Sequence, residues 1–251
     1  MALIKKIVLE KINSEKSYKD FNEQCTPAIV RLCIVTLLFI IESLYAQVLS
    51  TNGAVSINNT SGTFIVTNTL ENNSGSTFDN AGTITAASIT NAGTLQNNGT
   101  YNISATLTNT GTFTAGTSTV DFNGSGSQSV PALDYYNLNF STSGTKTFAG
   151  GTTGIAGTFS ITGATADATT NSSTIHFNGT SAQTVNPITY YNIEFSNGGT
   201  KTISGSVAVN NDVTINSGAT LLVDAGGTLA VHNNIDNDGT FNNDGTVTYA
   251  P

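Results

Sequence analysis

Residues 118–148 read STVDFNGSGSQSVPALDYYNLNFSTSGTKTF, and residues 173–203 read STIHFNGTSAQTVNPITYYNIEFSNGGTKTI. The two stretches are related by an offset of 55 and are identical at 16 of 31 positions. Where they differ inside apolar positions they keep character: Val120 against Ile175, Leu133 against Ile188, Leu138 against Ile193, Phe148 against Ile203. Ile155–Ile161 matches Val209–Ile215 in the same way, at an offset of 54. A fixed-period self-similarity that preserves apolar positions is the signature of a repeat architecture.

A finer period runs through the flanks. Asn-x-Gly-Thr and close relatives place glycines at 75, 93 and 111 and at 227 and 245, in steps of 18. The cassette offset is close to three such steps. Within each unit apolar and polar residues alternate, as in Val120-Asp-Phe122, Leu138-Asn-Phe140, Val207-Ala-Val209 and Val213-Thr-Ile215. Period two means strands with one buried face. Two or three apolar residues per strand cannot hold an isolated element, but stacking equivalent coils joins them into one column. The expectation is an all-β chain forming a right-handed parallel β-helix, a β-solenoid of about 18 residues per coil. On that reading Phe122 and Phe177 lie in one inner column, three coils apart. Gly and Asn at the corners are expected to supply left-handed backbone. An antiparallel sandwich is the structural rival, but the cassette period is short for it.

Composition divides the chain near position 46. Residues 1–46 hold six of the eight basic residues, both cysteines and no glycine. The uncharged run Leu32–Ile41 is too short to cross a bilayer as a helix and has the length of a secretory signal core. We expect a signal peptide over 1–46, cleaved after Ala46, with no membrane insertion afterwards; a retained anchor is the alternative. Two solenoid segments then follow: 47–116 with short Asn-Gly-Thr repeats, and 117–251 with two cassettes and the start of a third at Thr246. Residues 47–251 carry eleven acids against Lys146 and Lys201 only. That charge balance excludes nucleic acid and anionic membranes as partners.

The cassette STVxFNG…QxV…YYNLxFS…GTKT resembles repeats of exported surface proteins and adhesins of gliding, Bacteroidota-type bacteria, which are type IX secretion cargo. The Ser43-Leu-Tyr-Ala-Gln47 junction is similar to their signal-peptide ends. The resemblance covers 118–249 well and 52–116 loosely. It implies a secreted or outer-surface location in a Gram-negative bacterium and a structural, adhesive role. Such proteins end in a sorting domain, so the chain is expected to be a fragment.

Chemistry is sparse. Lyases and hydrolases use this fold, so a carbohydrate-active enzyme is the runner-up, needing acids clustered on one face. No such cluster, metal spacing or phosphate loop stands out, and no cofactor is implied. Asn234-Ile-Asp-Asn-Asp-Gly239 matches the opening of a calcium loop, with Asp236, Asp238 and Asp244 as weak candidates, but Gly245 holds the place of the bidentate Glu. Counting parity from Leu138 puts Tyr136 and Tyr191 inside and leaves Tyr135 and Tyr190 outside, as candidates for stacking on extracellular glycans or other cell-surface components. Recurrent Thr-x-Thr raises ice binding as a minor alternative, which the Lys at the centre of two triplets counts against. An uncapped last coil implies end-to-end self-association.

Overall fold

The computed structural model describes residues 48–51 and 56–249. The expected signal peptide lies outside them. The described residues form strands joined by turns, paired in parallel throughout the strand ladders and stacked as a β-solenoid of about ten turns. Short strands alternate buried and exposed residues, as the period-two pattern requires: Thr119–Phe122, Thr174–Phe177 and Thr228–Val231 each bury their second and fourth residues.

Six hydrogen-bonded sheets build three faces. Face I holds the first halves of Thr63–Asn72, Thr83–Asn91 and Thr100–Asn109, then Thr119–Phe122, Asn137–Ser141 and Phe159–Thr162. It continues with Gln183–Thr184, Thr200–Ile203, Thr220–Val223 and Thr240–Asn243. Face II holds the second halves of the three long strands. Gln128–Val130, Thr145–Phe148 and Thr165–Asp167 follow, then the series Thr189–Tyr190 to Thr246–Tyr249. Face III runs from Ser56–Asn59 through Thr112–Thr114, then from Asp134–Tyr135 to Asn234–Asn237. Where sheets break, other contacts carry the stack. Gln128 Nε2 donates to Ile103 O, the Phe113 and Tyr135 rings meet at 5.7 Å, Ala168 bridges Tyr190, and Asn186 Nδ2 donates to Phe159 O.

Coil length is not constant. Register steps run from 17 (Thr83 to Thr100) to 22 (Thr152 to Thr174), averaging roughly 19. The cassette therefore spans eight strands, Thr119–Phe122 through Thr165–Asp167, and eight is not a multiple of three. Each cassette is turned by one face. Its opening strand lies on face I at Thr119, on face III at Thr174 eight strands on, and on face II at Thr246, eleven strands further with one extra coil between. The expectation that Phe122 and Phe177 share a column is corrected: both are fully buried, but they belong to different faces. The turns differ in length from coil to coil, and the repeat counts strands rather than residues.

The interior is apolar and aromatic. Phe140 meets Phe122, Phe148 and Phe159 at centroid distances of 6.1, 5.3 and 5.1 Å, and Phe195 stacks on Phe177 at 5.9 Å. Buried Asn ladders run along the N-terminal corners: Asn72 Nδ2 donates to Asn91 Oδ1 (2.7 Å), and Asn91 Nδ2 to Asn109 Oδ1 (2.6 Å). Left-handed backbone occurs at Gly75 and Asn197, as expected of corners, but Gly93, Gly99 and Gly111 do not adopt it. Their role is different. A Cβ on Gly99 would lie 2.0 Å from Gly82 O, so close stacking of successive corners demands glycine there.

Candidate functional surface

About half of the residues that recur between cassettes point inward, among them Gln128, Tyr135 and Lys146 with their equivalents Gln183, Tyr190 and Lys201. Gln128 accepts from Gly124 N with Oε1 and donates through Nε2 to Ile103 O and Ala105 O. Gln183 repeats this with Gly179 N, Ile155 O and Gly157 O. Directly above each glutamine in register sits a lysine. Lys146 Nζ donates to the carbonyls of Gly124, Gly126 and Ser143, and Lys201 Nζ to those of Gly179 and Gly198. Both lysines are fully buried, and burial pulls both amines below their ordinary value, Asp121 opposing this at Lys146. The buried lysines thus leave the outward Thr145 and Thr147 undisturbed; they do not break a threonine array, as the sequence suggested.

Tyr135 and Tyr190 are the other inward pair. They are 1% and 0% exposed, and their hydroxyls donate to Pro131 O and Asn186 O. The candidate stacking pair is therefore in the core, and Tyr136 and Tyr191 are the partly exposed ones. Parity failed because the chain turns a corner between Tyr135 on face III and Asn137 on face I. Alternation holds along one strand and restarts after a corner.

The corner after each tyrosine pair is stitched identically. Asn137 Nδ2 reaches down to Thr119 Oγ1 (3.3 Å), and its Oδ1 accepts from Thr158 N in the next coil (2.9 Å). Asn192 Nδ2 reaches Thr174 Oγ1 (3.2 Å), and its Oδ1 accepts from Asp212 N (3.2 Å). Tyr136 and Tyr191 sit in the bend at this corner, partly exposed. Tyr136 lies against Gly157, where an added Cβ would come 3.0 Å from its Cδ1.

Burial of Lys146 and Lys201 leaves the described surface with no exposed Lys or Arg against eleven acids. On face III, Asp134, Gly154, His176, Glu194, Thr214 and Asp236 share one register row, in which Gly154 is buried against the Asp134 carboxylate. His176 Nε2 lies 2.7 Å from Ser196 Oγ and 3.7 Å from Glu194 Oε1. Both oxygens face the same ring nitrogen. A nucleophilic triad needs the carboxylate on Nδ1, where it orients the ring for the serine, so this trio lacks that geometry. Asp236 stands in this row, whereas Asp238 and Asp244 lie in two different turns of the last coil. Among the described residues no group of three or more His, Cys, Asp or Glu is placed to hold a metal ion.

The Thr-x-Thr triplets stack imperfectly. Thr83 and Thr85 meet Thr100 and Asn102, and Thr112 and Thr114 meet Thr94 and Gln96. A shallow groove of about 460 Å³ crosses four coils at one corner, lined by Gly62, Gly82, Gly99, Thr83, Thr100 and Thr119 among others. It holds hydroxyls and glycine backbone and no titratable group. No protein-family model matches the chain, and no curated protein or solved structure matches it either.

Proposed function

We propose that this chain is a non-catalytic, exported cell-surface protein of a Gram-negative bacterium: a rigid spacer with an adhesive, acidic surface. The observation that carries the reading is where the repetition goes. The recurring Gln, Lys and Tyr are spent on coil-to-coil carbonyl capping and core filling. Outward positions are mixed: Asp121 gives way to His176 and Asn139 to Glu194, whereas Tyr136, Thr145 and Thr147 recur as Tyr191, Thr200 and Thr202. Repetition that serves stacking suits a mechanical element, in which each coil supports its neighbours. The apolar run Leu32–Ile41 supports export, and the cassette's resemblance to type IX cargo repeats supports the outer surface. Neutral extracellular glycans suit the surface as partners, because the described residues expose no Lys or Arg to nucleic acid, acidic polysaccharides or anionic lipid. In a polypeptide of residues 47–251 the final coil presents Ile235, Phe241 and Val247 only partly buried and Tyr249 63% exposed, so end-to-end self-association of that polypeptide is part of the proposal.

Tagging the protein in an exposed turn at its own chromosomal locus, with whatever the gene encodes around residues 1–251 intact, tests this. Protease treatment of intact cells should remove the tag, and mild washing should not. Retention of the tag inside protease-treated cells would overturn the surface assignment. A 47–251 polypeptide should also associate with rising concentration in light scattering.

A further inference from the structure

We infer that Tyr136 and Tyr191 are two copies of one stacking site for the pyranose rings of neutral polysaccharides, set on different corners of the rod. The inference rests on the surface-protein reading above and adds the residues and the ligand class. Both tyrosines are partly exposed, whereas Tyr101, Tyr135 and Tyr190 are buried. Each ring follows a buried tyrosine that anchors its backbone, and each precedes an asparagine bonded to the coils on both sides. The backbone is also tied upward: Gly157 N donates to Tyr136 O (2.7 Å) and Asn211 N to Tyr191 O (2.9 Å). A backbone held this firmly fixes where each ring leaves the corner, so little main-chain freedom is lost when a sugar stacks on it, which is what a shallow site needs.

Charge selects the ligand. No exposed Lys or Arg accompanies either tyrosine among the described residues, and eleven acids repel polyuronates and sulfated chains. Neutral hexose polymers meet no such barrier. The eight-strand cassette places Tyr136 between faces III and I, and Tyr191 between faces II and III. Two sites on different corners cannot lie along one extended chain. They take two chains, so the solenoid cross-links a polysaccharide rather than tracking it.

The test uses the 47–251 polypeptide in native gels containing soluble mixed-linkage β-glucan or amylose, with polygalacturonate as the charged control. Wild type should be retarded by at least one neutral polymer and not by polygalacturonate. Tyr136→Ala and Tyr191→Ala should each weaken binding, and the double variant should lose it by about tenfold. At concentrations where light scattering shows a monomer, either single variant should abolish polymer cross-linking, read as turbidity, while keeping partial retardation. Tyr136→Phe should behave as wild type, and unchanged thermal melting shows that the variants fold. No retardation of wild type by either neutral polymer, or full retardation of the double variant, would overturn the site. Neither result would bear on surface exposure of the full chain, which the protease experiment decides.

Discussion

His176 and Glu194 stand side by side in register on face III, Nε2 to Oε1 3.7 Å, where the first cassette pairs Asp121 with Asn139 on face I. The two positions change together between cassettes. His176→Asp alone would set a carboxylate beside Glu194, with Ser196 placed to donate to it as Ser141 donates to Asp121. Like charges directly opposite on neighbouring strands destabilise, here by about 0.5–1 kcal/mol. Adding Glu194→Asn recreates the first cassette's pair and should restore stability. A denaturant double-mutant cycle reads this; independent, additive effects would show that the pair is not coupled.

Phe177 is fully buried and stacked on Phe195. Phe177→Asp places a carboxylate among apolar neighbours and should cost several kcal/mol, of the order of 3 or more. Stability in a solenoid is a sum over adjoining coils, so the lesion should be local. Hydrogen exchange should rise first in Thr152–Ile155 and Asn192–Phe195, the strands on either side. Uniform exchange along the whole rod would contradict this.

Lys201→Met should destabilise by about 1–3 kcal/mol, because the carbonyls of Gly179 and Gly198 lose their donor. The gap should depend on pH. Burial lowers the amine's pKa in the fold below its ordinary 10.5, so the unfolded chain binds more protons between the folded value and 10.5. Wild-type stability therefore rises with pH through that interval, and the variant lacks the rise. Melting at pH 7 and pH 10 should show a larger gap at pH 10; a gap that shrinks would mean that the lysine is not buried.

Glu194→Cys with Thr214→Cys should form a disulfide on mild oxidation, because the two are register partners on adjacent coils. Neighbouring strands at about 4.8 Å bring their Cα atoms into bonding range. Glu194→Cys with Asp212→Cys, the pair that the glycine step of 18 would bring opposite, should stay reduced: the register offset puts the Cα atoms about 8 Å apart. Mass spectrometry under non-reducing conditions distinguishes the two outcomes.

Much of this molecule is written locally. Alternation in Thr-Val-Asp-Phe122 or Thr-Ile-His-Phe177 requires a strand with one buried side whatever surrounds it, because the pleat itself has period two. The cassette repeat requires that such strands stack, since none buries enough alone. What needed the tertiary structure lies at the corners. Turn length sets which face a strand joins, and turns vary from coil to coil. The cassette offset, which reads along the chain as three coils, is eight strands, and cassettes rotate. The corner also restarts parity, which moved Tyr135 and Tyr190 inside and Tyr136 and Tyr191 out. Lys146 and Lys201 were read as surface charges because lysine is rarely buried. Their acceptors are carbonyls that include Gly124 and Gly179, each a full coil back along the chain. Only stacking one coil on another brings those oxygens to the amine, so no local reading of Thr-Lys-Thr could place it.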